Sequence, residues 1–246
     1  MRKYAEINFP ESEVICVYYD IGHPYAWKEK AVLPKDVLIH DMKWFNAVGV
    51  GKEGNNTGNC FIPGRNLVFA TLAASQYLPD EIWLGALQGE IHAKATDKNY
   101  VFAYSASKTL SYTLSPFKES VSIVFPLADA EFGKLDATRW ALQYGMKEAI
   151  LNSSSCMEGE VGNCGRCATC LRRWGIFKQL GLDETYNVHP IESKVHSKMI
   201  IEMIDEILTP SFNPHYDLHR ITEIVPALQM HYNETDLNLI KEKVKQ

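Results

Sequence analysis

Four cysteines, Cys156-x7-Cys164-x2-Cys167-x2-Cys170, are the densest cluster of chemically active side chains in the sequence. Gly165 and Arg166 lie between the first close pair, and Arg172 and Arg173 follow the last cysteine. Thiolates two residues apart can share one ion, because the turn between them aims both sulfurs inward. Four such sulfurs complete a tetrahedral zinc shell. Three chemistries compete for this pattern. Paired spacing favours one structural zinc, bound by Cys156, Cys164, Cys167 and Cys170. The bacterial iron–sulfur run ends in Cys-Pro, which Cys170-Leu171 does not reproduce. Disulfides need an oxidising compartment, and nothing marks the chain as secreted. A four-sulfur shell is coordinatively closed, so catalysis is expected from other residues.

The elements that would position those residues alternate. Val14–Tyr19 (VICVYY) reads as a continuously apolar strand, as parallel strands covered on both faces do. Pro24 stands where a helix over Tyr25–Leu33 can begin, and Asp36–Asp41 is a second strand. Asn46–Asn59 is rich in glycine and asparagine and reads as a loop. The helix Arg65–Leu78, a strand at Glu81–Leu87, a helix over Tyr100–Leu114 and a strand at Val121–Leu127 follow. Leu135–Tyr144 is a helix closed by Gly145. This rhythm predicts a parallel sheet with helices on both faces, binding ligands at the carboxyl ends of its strands. From about Leu182 three helical segments succeed one another: Glu192–Leu208, Asp217–Met230 and Thr235–Lys245. His215 and His219 are four apart there, but no third ligand completes a metal site.

Composition narrows the rest. The chain has 246 residues, 46% apolar and 22% charged, enough for one large core or a core with an appendage. A net charge of −5 argues against direct binding of a nucleic-acid backbone. No apolar run is long enough to span a bilayer, and the N-terminal MRKYAEINFP has no signal-peptide core. Cys16 and Cys60 sit in apolar settings as free thiols, so a cytoplasmic location is expected.

Read in order, these motifs resemble the 7-cyano-7-deazaguanine synthases, the queuosine-pathway branch of the PP-loop ATP pyrophosphatases. Phe61-Ile62-Pro63-Gly64-Arg65-Asn66, opening an alanine-rich helix, is similar to that family's F-V/I-P-G-R-N signature. Ser155-Cys156 through Arg172 resembles its cysteine signature. Asp20-x-Gly22 resembles its F-D-Y-G, and Pro126-Leu127 with Gly133-Lys134 its Pro-Leu and Lys step. The likeness runs from about Val14 to Leu180.

The resemblance implies a three-layer α/β PP-loop fold of the adenine nucleotide alpha hydrolase type. The expected divisions are a nucleotide-binding domain over 1–151, a zinc-binding knob over 152–181 and a helical extension over 182–246. It also implies a ligase that turns 7-carboxy-7-deazaguanine and ammonia into the nitrile with ATP and magnesium, as a homodimer. Lys134 and Arg65 would be catalytic, stabilising the leaving phosphates. Asp20, Gly22, Gly64, Arg65 and Asn66 would bind the nucleotide, and Gly85, Asp97 and Phe102 the deazapurine. Ala95–Phe102 replaces the family's usual Y-P-D-C-R-P-E-F loop, keeping only Asp97 and Phe102 at comparable places. A related deazapurine, or a role in DNA modification or defence, is therefore a competing expectation. No S-G-G-x-D-S phosphate loop occurs in the sequence. The expectation is an N-terminally incomplete fold without its first strand, P-loop and part of its first helix. A non-catalytic binding or assembly module is the alternative.

Overall fold

The computed structural model describes residues 1–48, 62, 64–91, 96–210 and 218–246. Cys60, Phe61, Pro63, Ala95, His215 and most of the Asn46–Asn59 loop lie outside the described residues. The chain divides into two units: Met1–His23 with Leu33–Gly133, and Pro24–Val32 with Lys134–Gln246. The boundaries expected near 151 and 181 both fall inside the second unit.

The first unit contains helix α1 (Arg2–Asn8), strands β1 (Val17–Asp20) and β2 (Leu38–Asp41), and helices α3 (Lys43–Val48) and α4 (Arg65–Tyr77). Strand β3 (Glu81–Trp83), helix α5 (Gln88–Ile91), a 3-10 turn (Thr96–Lys98), α6 (Tyr100–Leu114), β4 (Ser122–Val124) and α7 (Pro126–Asp129) complete it. Two parallel pairs form, β1 with β2 and β3 with β4, each a two-stranded sheet. The strands are shorter than their apolar runs for local reasons. The Val121 N–H donates to Ser111 Oγ at 3.0 Å rather than to a strand. Pro126, with its fixed φ and no N–H, opens α7 instead of continuing β4. The alanines of α4 pack as expected, and α6 contributes its own: Ala70 and Ala74 of α4 and Ala103 and Ala106 of α6 are buried with Ile82, Ile123 and Phe125 in one core. Asn99 caps α6 by accepting from Phe102 N at 2.9 Å.

The second unit comprises α2 (Ala26–Val32), α8 (Lys134–Gln143), α9 (Lys147–Asn152), α10 (Ala168–Gln179), α11 (Lys194–Leu208), α12 (Leu218–Tyr232) and α13 (Leu237–Lys245). The apolar stripes of the last three helices bury onto α10. Ile200, Met203 and Ile204, Ile224 and Leu228, and Ile240 share one core with Leu171 and Trp174. Two features allow α10 and α12 to touch. Gly175 faces the backbone of α12, and a Cβ there would overlap the Glu223 carbonyl oxygen. Pro226 interrupts α12 and leaves the Thr222 carbonyl without its helical donor. Gln179 Nε2 donates to that oxygen at 3.1 Å and to Glu223 O at 2.8 Å. Among the described residues no helix is long and apolar enough to cross a membrane.

Gly175→Ala should push the two helices apart and destabilise the chain by about 1–3 kcal/mol, as overpacking does. Urea unfolding followed by circular dichroism measures this; an unchanged midpoint would show that the crossing tolerates a methyl group.

Candidate functional site

The cysteine motif folds into a compact sulfur cluster in the second unit. Cys156 and Cys164 come from the segment ahead of α10, Cys167 is the residue preceding its first turn, and Cys170 lies in that turn. All four sulfurs lie within 4.8 Å of one another, and Cys164 Sγ to Cys170 Sγ is 3.9 Å. A sulfur tetrahedron around zinc has edges of about 3.8 Å, from bonds of about 2.3 Å. The donor set therefore fits a tetrahedral, thiolate-binding ion. Backbone amides support it: Cys164 N donates to Cys156 Sγ at 3.4 Å and Arg166 N to Cys164 Sγ at 3.2 Å. Thr169 Oγ1 lies 3.0 Å from Cys167 Sγ.

The thiols pull each other apart in titration. A hydrogen bond from Cys170 lowers the Cys167 thiol to about 4, and burial pushes Cys164 up to about 11. The same bond, then burial, raises Cys170. Burial and the Cys167 thiolate thus oppose ionisation of Cys164 and Cys170, and a bound cation would offset that cost.

Sequence reasoning did not find the residues that hold this cluster in place. Gly165 adopts φ +72, and any Cβ would overlap the Val188 carbonyl oxygen. The glycine in C-G-x-C was its only signal. Buried His196 donates from Nε2 to Gly165 O at 3.2 Å, and burial lowers its pKa, keeping the ring neutral. Arg172 makes a two-point ion pair with Glu223, 2.6 and 2.9 Å, with Glu223 only 1% exposed. Arg173 donates to Glu184 at 2.6 Å, Ser153 Oγ at 2.9 Å and Ile150 O at 3.0 Å, and lies over the Phe177 ring.

In the first unit, polar groups gather at the carboxyl ends of the strands. Asp20 ends β1, nearly fully buried, and its Oδ1 accepts from Gly22 N at 3.0 Å. Gly22 has φ +76, which makes that turn possible. Gly64, also left-handed at φ +71, precedes α4 and supplies no capping side chain. Arg65 N donates to Ile62 O at 3.2 Å, and the amides that follow it in the first turn have no side-chain cap and suit an anion. Arg65 is half-buried there, with no carboxylate partner among the described residues. Asn66 Nδ2 donates to Asp97 O at 3.0 Å, joining α4 to the 3-10 turn. Asp97 is 7% exposed, and no described side chain donates to its carboxylate. Beside it Lys98 pairs with Glu90 at 3.0 Å, and Glu90 accepts from Leu87 N at 3.1 Å. Tyr100 donates to Asp129 at 2.6 Å, which lifts its pKa to about 12. Tyr19 Oη and Gln88 Oε1 are buried without a partner.

The expected residues are thus only partly assembled. Asn66 and Asp97 meet, as do Asp20 and Gly22. Phe102 packs against the alanine-lined core of α4 and α6. Gly85 lies beyond β3, with room for a side chain beside Met1. Lys134 opens α8 in the second unit, whereas Arg65 is in the first.

The chain is similar to a 7-cyano-7-deazaguanine synthase of Methanosarcina barkeri, 25% identical over 74% of this chain and 81% of that protein. It is 29% identical to the synthase of Gloeobacter violaceus over 50% of this chain and 54% of that protein. With the Chromobacterium violaceum synthase the identity is 32%, over 51% and 53%. The chain spans about half the length of these last two relatives. The family described as queuosine biosynthesis protein QueC matches residues 18–181 of the 246, and the chain belongs to that family.

Proposed function

We propose that this chain serves the ATP-dependent conversion of 7-carboxy-7-deazaguanine and ammonia into 7-cyano-7-deazaguanine. The observation that carries the reading is the Asn66–Asp97 bond. It ties the start of α4 to the backbone carbonyl of Asp97, a residue whose own carboxylate is buried, in a chain of the QueC family. The two ends of that bond suit the two ends of such a reaction. Arg65 and the uncapped amides of α4 offer positive potential to phosphates. Asp97 is an acceptor for the N–H donors of a guanine-like edge, and burial strengthens that contact.

In the first half-reaction the substrate carboxylate attacks the α-phosphorus of ATP and pyrophosphate leaves. Ammonia then adds to the acyl carbon, loses a proton and expels AMP, giving the amide. The amide oxygen then attacks the α-phosphorus of a second ATP and pyrophosphate leaves; loss of both nitrogen-bound protons and departure of the oxygen with AMP give the nitrile. Arg65 and Lys134 stabilise the charge that builds on the departing phosphates, with magnesium bound to ATP. Asp97, oriented through Asn66, fixes the ring so that its carboxylate faces the nucleotide. The four cysteines hold a structural zinc, which supplies folding free energy rather than chemistry.

Arg65→Ala and Lys134→Ala should each lower turnover by on the order of 10²-fold, as loss of a charge-stabilising donor does. Asp97→Asn should raise KM for the deazapurine more than KM for ATP. Incubation with ATP, ammonia and 7-carboxy-7-deazaguanine, read by mass spectrometry, tests the assignment. Absence of both amide and nitrile would reject it.

Elemental analysis should find one zinc per chain. Cys167→Ser and Gly165→Ala should both lose it and unfold at lower temperature, the first by removing a ligand and the second by a clash with Val188. Zinc retained at full occupancy in Cys167→Ser would disprove the four-sulfur site.

A further inference from the structure

Residues 182–192, between α10 and α11, form a strap against the cysteine loop. Its bonds are spaced along its length. Leu182 N donates to Phe177 O at 2.9 Å, Arg173 donates to Glu184 at 2.6 Å, and Asn187 N donates to Asn163 O at 2.8 Å. The Val188 carbonyl oxygen then fills the space beside Gly165. Ile191, 7% exposed, anchors the far end of the strap in the core of the tail helices. Between those last two contacts stands His189, so the strap's hold on the Gly165 turn depends on that side chain.

His189 joins three elements. Its ring lies 5.9 Å from that of Trp174 in α10, edge to face, and 5.6 Å from that of His231 in α12, tilted by 33°. Trp174 also meets His231 edge to face, at 5.9 Å. Two imidazoles therefore lie together beside one indole, and the three rings tie the strap to both helices. The Ile191 N–H donates to His189 Nδ1 at 3.4 Å, so that nitrogen carries no proton. A proton there removes the acceptor of a backbone amide at a buried residue. A proton on each ring replaces an attractive aromatic contact by repulsion between two cations.

The surroundings favour the neutral pair. Lys178 of α10 and His189 face His231, and Glu192 of the strap opposes them. Lys243 of α13 stands over the next ring, Tyr232, at 5.5 Å and pairs with Glu234 at 3.2 Å. Burial first, then His189 and Lys178, hold the His231 imidazole below the ordinary histidine value, with Glu192 pulling the other way. His231 is exposed, so solvent protons reach it without any prior opening of the fold.

We propose that His189 and His231 form a proton-operated latch: neutral, they clamp the strap to α10 and α12, and protonated, they release residues 187–192 and uncover the Gly165 turn. The latch is independent of the reaction proposed above. Its sign follows from linkage. A histidine whose pKa is lowered by its folded surroundings takes up a proton more readily once the strap is open. The latch is therefore fully closed above the ordinary value of about 6.5 and is lost as the pH falls below it.

The test follows the purified chain, with its metal, by amide exchange and proton NMR between about pH 7.5 and pH 5.5, either side of the histidine range. Protection of the Asn187 and Ile191 amides, corrected for the intrinsic pH dependence of exchange, should fall about tenfold for each unit by which the histidine pKa values are lowered. The midpoint of that fall should match the titration of the His231 ring. His231→Phe keeps an aromatic ring, and His189→Asn keeps an acceptor at the place of Nδ1, but neither takes up a proton in this range. Each should keep the native circular dichroism at the upper pH, and the two together should abolish the fall. A fall of the same size in the double variant would assign the response to other groups and overturn the proposal. So would metal loss at one midpoint in the unaltered chain and the double variant alike, because the cysteines would then set the response. A His231 ring that titrates at or above the ordinary value, or protection lost at a pH away from its midpoint, would also overturn it. Both are read in the unaltered chain, whatever the folding of the variants.

Discussion

Holding four thiols within 4.8 Å of one another is the constraint on which the second unit depends. Ionising all the sulfurs at that spacing is costly until a cation joins them, so the chain must both aim them and screen them. Aiming falls to α10, which starts between Cys167 and Cys170, and to the left-handed turn at Gly165 pressed against Val188. Fixing α10 falls to the tail. Arg172 is anchored by Glu223 and Arg173 by Glu184, so two consecutive arginines orient the helix by charge on two sides. Breaking either buried pair would strand a charge in the interior, which costs several times more than the intact pair contributes. The core of α11, α12 and α13 then keeps water from these pairs.

The first unit shows the opposite economy, with polar groups left ready at strand ends rather than consumed in packing. Asp97, Gln88 Oε1 and Tyr19 Oη are buried groups whose hydrogen-bonding capacity the described residues do not fill. Native folds satisfy nearly all such groups, so several in one unit mark a place shaped for something that arrives later. The Asn66–Asp97 bond is the rigid member among them, and it is made by a side chain of the arginine–asparagine motif to a backbone carbonyl.

Much of this was legible in the sequence where the signal is local. Cysteine spacing announced the sulfur cluster, and the alanines of α4 announced close packing. The apolar stripes of the tail announced buried helices. Other features depend on residues far apart in the chain and left no local mark. Gly175 reads as a weak point in LRRWGIFKQ, and only the Glu223 carbonyl explains it. Glu223 reads as one of many acidic tail residues, and only Arg172 explains its burial. His196 has no motif at all. Strand ends were misjudged where side chains compete for backbone groups, as Ser111 does at Val121 and as proline geometry does at Pro126. Apolar runs report burial, and burial alone does not say where a ladder stops.

The interruption of α12 at Pro226 has a consequence for the lifetime of the protein in a cell. A proline inside a helix leaves a carbonyl that the helix itself cannot use, and here Gln179 of α10 supplies the missing donor. A long-range hydrogen bond of the tail thus originates from the helix that carries the sulfurs. When the sulfur cluster loosens α10, Thr222 loses its partner and α12 opens at its proline. An opened helix is what a protease needs, because cleavage follows the population of locally unfolded chain. Degradation would then select against chains whose cysteines are unassembled, and the surviving pool would report on metal supply.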